Sequence, residues 1–163
     1  MQKGTKLIHK NQRGFTLIEL VIAIAIAGII TAGITAAIMQ VLTINTRASN
    51  HMIAVRQVQQ AGKEVSKDTL QAQNVTPDNG DSGFPLILQW TDWEGTANNV
   101  TYTITGAGDL QRSHNIEGDR IVAQYIDTGT SCEKSGRKLI FTVTATVGQQ
   151  SETRIYEIEP RPT

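Results

Sequence analysis

The chain has 163 residues, 15 acidic and 15 basic side chains, and a single cysteine. That length suits one modest domain, a lone cysteine excludes an intrachain disulfide, and the charge balance offers no dense cationic surface for nucleic acid. The balance hides a split: Lys3, Lys6, Lys10 and Arg13 lie within residues 1–14, every acidic residue lies beyond them, and 11 cations face 15 anions in the remainder.

Immediately after the basic stretch, at Gly14-Phe15, an apolar run begins and continues to Ile44. It is interrupted by one charge, Glu19, and the next charged residue is Arg47. As a helix, residues 15–44 would span about 45 Å, whereas a bilayer core needs only about 20 residues. A secretory signal has an apolar region of about 7–15 residues and a small-residue cleavage site, so this run is too long for one. A plain single-pass anchor explains the length but not the carboxylate, which costs roughly 2.5–3.5 kcal/mol at mid-bilayer.

The basic leader closing on Gly14, followed by Phe15-Thr16-Leu17-Ile18-Glu19 and the apolar helix, resembles the N-terminus of type IV prepilins and type II secretion pseudopilins. The resemblance implies cleavage between Gly14 and Phe15 by a prepilin peptidase and N-methylation of the new Phe15 amine. It further implies pairing of Glu19 with the Phe15 amine of a neighbouring protomer, and assembly with other pilins or pseudopilins. It places the precursor in the inner (cytoplasmic) membrane as a single-pass protein with its C-terminal domain outside the cytoplasm, and the mature subunit in a filament. The expected division is a leader at 1–14, a membrane and filament-core helix half at 15–44, an amphipathic half at 45–73, and a loop and sheet region at 74–163. Major subunits often carry a proline inside the apolar half. Ala36 stands near that place here, a departure that fits a low-copy subunit.

Beyond the apolar run, Ile44, Ala48, His51, Val55, Val58, Gly62, Val65, Thr69 and Ala72 recur at steps of three and four, one stripe of an amphipathic helix. No proline intervenes before Pro77, so one helix over residues 15–73 is expected. Asn74 to Gly83 is rich in turn formers and reads as a loop. Strands follow at Leu86–Trp90, Val100–Ile104, Leu110–Ser113, Ile121–Ile126, Leu139–Val147 and Thr153–Ile158, with alternation clearest from Leu139 to Val147. Their short connections require antiparallel pairing, and the expected fold is α+β and pilin-like: one long N-terminal helix packed on one antiparallel sheet. Within that pattern the Tyr102–Arg112 hairpin and the terminal Arg154–Arg161 segment resemble the J-class minor pseudopilins and similar minor pilins.

No residue pattern signals catalysis. His9, His51 and His114 are scattered, and no zinc, thiol-redox or nucleophile-elbow motif occurs. Gly106-Ala107-Gly108 is expected to be a hairpin loop, since it lacks the third glycine of a dinucleotide fingerprint. Asp78-Asn79-Gly80-Asp81 groups oxygen ligands but lacks the closing glutamate of a calcium loop, so neither metal nor cofactor is expected. Cys132 reads as a free thiol in a loop, and Lys134, Arg137 and Lys138 as a solvated loop. Trp90 and Trp93 fall on opposite faces at strand spacing. The chain is expected to be a structural minor pilin or pseudopilin rather than an enzyme; the alternative is a tip binding module for adhesion or DNA uptake.

Overall fold

A computed structural model describes residues 14–77 and 80–162. The leader cations and the Asp78-Asn79 pair of the calcium reading lie outside the described residues. Helix α1 runs Leu17–Thr69, followed by strands β1 (Asn74–Thr76), β2 (Leu86–Thr91), β3 (Ala97–Ile104), β4 (Leu110–His114), β5 (Gly118–Ala123), β6 (Ser131–Ser135), β7 (Lys138–Val147) and β8 (Gln150–Ile158). The chain divides into two compact units between Ile44 and Asn45.

In the first unit every described residue, Gly14 to Ile44, is solvent-exposed. Thr31, Thr35 and Thr43 donate their hydroxyls to the carbonyls of Ala27, Thr31 and Met39, at 2.8–2.9 Å. These hydroxyls are thus satisfied within the helix itself. Apart from Glu19 and Gln40, the surface that remains is apolar on all sides.

The second unit has an α+β core. Ala54, Val58, Ala61 and Val65 of α1 are fully buried, together with Leu86, Leu88, Val100, Tyr102 and Leu110 from one set of strands and Leu139, Phe141 and Val143 from another. Each buried large apolar side chain contributes about 1.5–3 kcal/mol. The alternation on β7 is as the sequence predicts, with Leu139, Phe141, Val143, Ala145 and Val147 all inward.

Several expectations need correction. There are two antiparallel sheets rather than one: β1-β2-β3-β4-β5 and β6-β7-β8. The change of sheet follows β5, where Tyr125 adopts φ 60°, Ile126 N–H donates to the Gly108 carbonyl at 2.7 Å and Ile126 bridges to Ala145 of β7. A hydrophobic alternation marks strands but not which sheet they join. The helix stops at Thr69 rather than Gln73, because Gln73 N–H is taken by the Gln89 carbonyl at 2.8 Å and the Gln73 side chain accepts from Thr91 N–H. Pairing with β2 likewise makes Asn74–Thr76 a strand, not a loop. The buried stripe begins at Ala54; Ala48 and His51 are exposed, and Ala61 and Asp68 join the inner face.

Cys132 is buried in β6, not in a loop. Burial pushes its thiol up to about 11, against a smaller lowering by a backbone hydrogen bond with Gly83. The basic cluster is a tight β6–β7 hairpin, with Arg137 paired to Glu159 at 3.2 Å and Lys138 to Glu157 at 3.1 Å. Trp93 lies on a turn rather than a strand.

Candidate functional site

Thr16 precedes the first helical residue and caps α1. Glu19 N–H donates to Thr16 Oγ1, and the Thr16 hydroxyl donates to Glu19 Oε2, both at 3.4 Å. Thr-x-x-Glu is a capping-box spacing, a signal carried by the sequence itself. It holds the Glu19 carboxylate beside the positive end of the helix dipole, where an anion is favoured by about 0.3–1 kcal/mol at an exposed position. Glu19 is exposed and has no ion-pair partner among the described residues.

Phe15 is 82% exposed, with Leu17 and Ile18 beside it. A Cβ placed on Gly14 would meet nothing within 4 Å. The fold therefore does not require glycine at position 14. Gly14, Phe15 and Glu19 thus share one short, fully accessible segment opening the apolar helix.

A second polar constellation lies inside the globular unit. Asp68 Oδ2 accepts from Tyr102 Oη at 2.6 Å and from Arg112 Nε at 2.7 Å, and Asp68 Oδ1 accepts from Arg112 Nη2 at 3.3 Å. Asp68, Tyr102 and Arg112 are 1%, 0% and 4% exposed. Arg112 Nη1 continues outward to Glu117 Oε2 at 2.8 Å. Burial first, then the Asp68 charge and hydrogen bond, hold the Tyr102 phenol protonated well above the ordinary tyrosine range. The Arg112 hydrogen bond and charge hold Glu117 below the usual carboxylate range. His114 stacks on Trp90 with ring centres 6.1 Å apart, and its Nδ1 accepts from Glu117 N–H.

This network ties the last helical turn to the β3–β4 hairpin through the register pair Tyr102–Arg112. It is a buried ion pair with both carboxylate oxygens hydrogen-bonded, the arrangement a charge needs in a dry interior. Its geometry is that of a clasp: the carboxylate accepts two hydrogen bonds from the guanidinium and one from the phenol. Sequence reasoning saw the hairpin but not Asp68. The available signal was a carboxylate beside Thr69 on the apolar stripe and an arginine at an inward β4 position. Among the described residues no three His, Cys, Asp or Glu side chains form a metal-binding group.

A family profile for the prokaryotic N-terminal methylation motif matches residues 9–35. That span contains Gly14, Phe15 and Glu19. Comparison with curated proteins and with solved structures gave no match.

Proposed function

From the premise that this chain carries the N-terminal methylation motif of type IV prepilins and pseudopilins, we propose that it is a minor pilin or pseudopilin, a structural subunit of a type IV pilus or type II secretion pseudopilus. The observation that carries the reading is the exposed helix from Phe15 to Ile44, apolar on every side yet bearing Glu19. Such a surface calls for lipid or other apolar helices around it. The carboxylate has a role only if the helix leaves lipid for a place holding a cation.

In this reading the precursor sits in the inner membrane with its basic leader inside, in keeping with the positive-inside rule, and its sheet domain outside. Prepilin peptidase hydrolyses the Gly14–Phe15 bond. Exposure of this segment and the freedom around Gly14 suit entry into a protease cleft. The released Phe15 amine then stands at a helix N-terminus, where a positive charge is disfavoured by the dipole. Pairing with Glu19 of a neighbouring protomer removes that penalty and leaves no orphan charge in the bundle. The chain acts as a substrate and a building block, not as an enzyme. The missing proline at Ala36 and the Tyr102–Arg112 hairpin support a minor, J-class-like subunit.

Mass spectrometry of the membrane-extracted protein tests the proposal. The expected N-terminal peptide begins at methylated Phe15. A chain that keeps Met1 in cells with an active prepilin peptidase would overturn it.

A further inference from the structure

Three exposed amides form one row across three strands. Asn74 of β1 pairs in register with Gln89 of β2, and Gln89 pairs with Asn99 of β3. All three are exposed, and none makes a side-chain hydrogen bond among the described residues. They line a groove of about 370 Å³ that also takes in Gln73, Asn98 and Asn115 and includes no charged side chain. Gln73, Asn98 and Asn115 build its walls. Gln73 Oε1 accepts from Thr91 N–H, Asn98 Nδ2 donates to the Thr96 carbonyl, Asn115 Oδ1 accepts from Asn99 N–H, and Asn115 Nδ2 donates to the Ala97 carbonyl. The β2–β3 turn closes this end. Asp92 Oδ1 accepts from the backbone N–H groups of Glu94 and Thr96, at 3.0 and 2.8 Å. The turn carries Trp93, 91% exposed, just beyond the groove-lining Thr91 and Ala97, and Trp90 itself lines the groove.

We infer that this groove binds an extended neutral glycan. Each amide offers two donors and an acceptor, which matches sugar hydroxyls that donate and accept at once. An exposed indole on a rigid turn offers a flat apolar surface to the C–H face of a sugar ring. Neighbouring strands stand about 4.8 Å apart, close to the advance per sugar along an extended chain, so successive amides in the row meet successive sugars. A groove without cations offers nothing to a uronate or phosphate. A peptide is less well matched: strand addition needs an open sheet edge, and although the row starts on the edge strand β1, it runs across the faces of β2 and β3, each paired on both sides. The inference rests on the folded domain alone and is independent of processing at Gly14.

The test is calorimetric titration of the full chain in a polyoxyethylene detergent, which carries no sugar headgroup. The probes are cellohexaose, chitohexaose, an acidic hexagalacturonate and an uncharged peptide of similar length. Cellohexaose and chitohexaose separate hydroxyl-only from acetamido glycans. The expected result is binding of at least one of these two with Kd between about 10 and 1,000 μM. The triple variant Asn74→Ala, Gln89→Ala, Asn99→Ala should weaken it by about tenfold or more with an unchanged melting curve, since exposed substitutions seldom alter stability. Trp93→Ala should weaken it as well. The inference is overturned if neither neutral hexasaccharide binds at about 5 mM, if the triple variant binds as the wild type does, or if the peptide or the acidic glycan binds more tightly.

Discussion

Asp68 shows how one residue can govern the attachment of a helix. Its carboxylate satisfies a buried guanidinium and a buried phenol together. Asp68→Ala leaves Arg112 with Glu117, which is mostly solvent-exposed, and leaves Tyr102 without its acceptor. Breaking a buried pair typically costs about 3–5 kcal/mol, a large share of a domain stability of about 5–15 kcal/mol. Chemical unfolding should show a loss in that range for Asp68→Ala and a smaller one for Asp68→Asn, which keeps an acceptor. A loss below about 1 kcal/mol for Asp68→Ala would mean the clasp adds nothing beyond packing. Cys132 gives a pH signature at the same scale. Its folded thiol holds its proton up to about 11, whereas the unfolded thiol releases it from about 8.5. A raised folded value contributes stability that is complete below the unfolded value and fades as pH climbs toward the folded one. Stability should therefore decline between those limits, by up to about 3 kcal/mol, and Cys132→Ala should flatten that part of the pH profile. An equally steep profile in the variant would assign the decline to other groups, with Tyr102 the first to examine.

At the scale of elements, the helix docks on the second sheet through one glycine. A Cβ on Gly62 would lie 2.1 Å from Tyr156 Cζ. Tyr156 stacks on Phe141 and donates to the Val58 carbonyl at 3.4 Å. Gly62→Ala should destabilise by about 1–3 kcal/mol through overpacking. In a Tyr156→Ala background the same change should be neutral or favourable, because alanine suits a helix interior better than glycine by about 1 kcal/mol. A double-mutant cycle reads the coupling, and additive effects would contradict the contact. The helix and the strands with strong alternation, such as β7, were readable in the sequence because burial imposes a period. The short β1 and the β6 strand were not, because Asn74–Thr76 and Ser131–Ser135 are mostly polar, lack a run of apolar alternation, and owe their strand state to pairing with β2 and with β7. The split into two sheets had no local signature apart from Tyr125, whose positive φ no composition rule reveals. Gly14, Phe15 and Glu19 were readable as a linear motif, whereas Asp68 and Arg112 are 44 residues apart and meet only through the fold.

For the whole molecule, the two units differ in what their surfaces require. The unit from Asn45 onward buries its own core, while the segment from Phe15 to Ile44 buries nothing and must be covered by something else. Apart from Glu19, charge is confined to the ends of that segment: four cations precede it, and the remaining acidic residues follow it. This is the pattern expected of a subunit held in a membrane and then moved into a helical bundle. Glu19→Ala separates the two stages. Alanine removes a charge that is costly in lipid, so insertion and cleavage after Gly14 should proceed as in the wild type. Assembly should fail, because a buried Phe15 amine without its partner costs about 3–5 kcal/mol. The decisive measurement is the ratio of cleaved, membrane-held subunit to subunit recovered in sheared filaments or cross-linked to other pilins. The account predicts normal cleavage with strongly reduced recovery in filaments for Glu19→Ala, and wild-type recovery would contradict it.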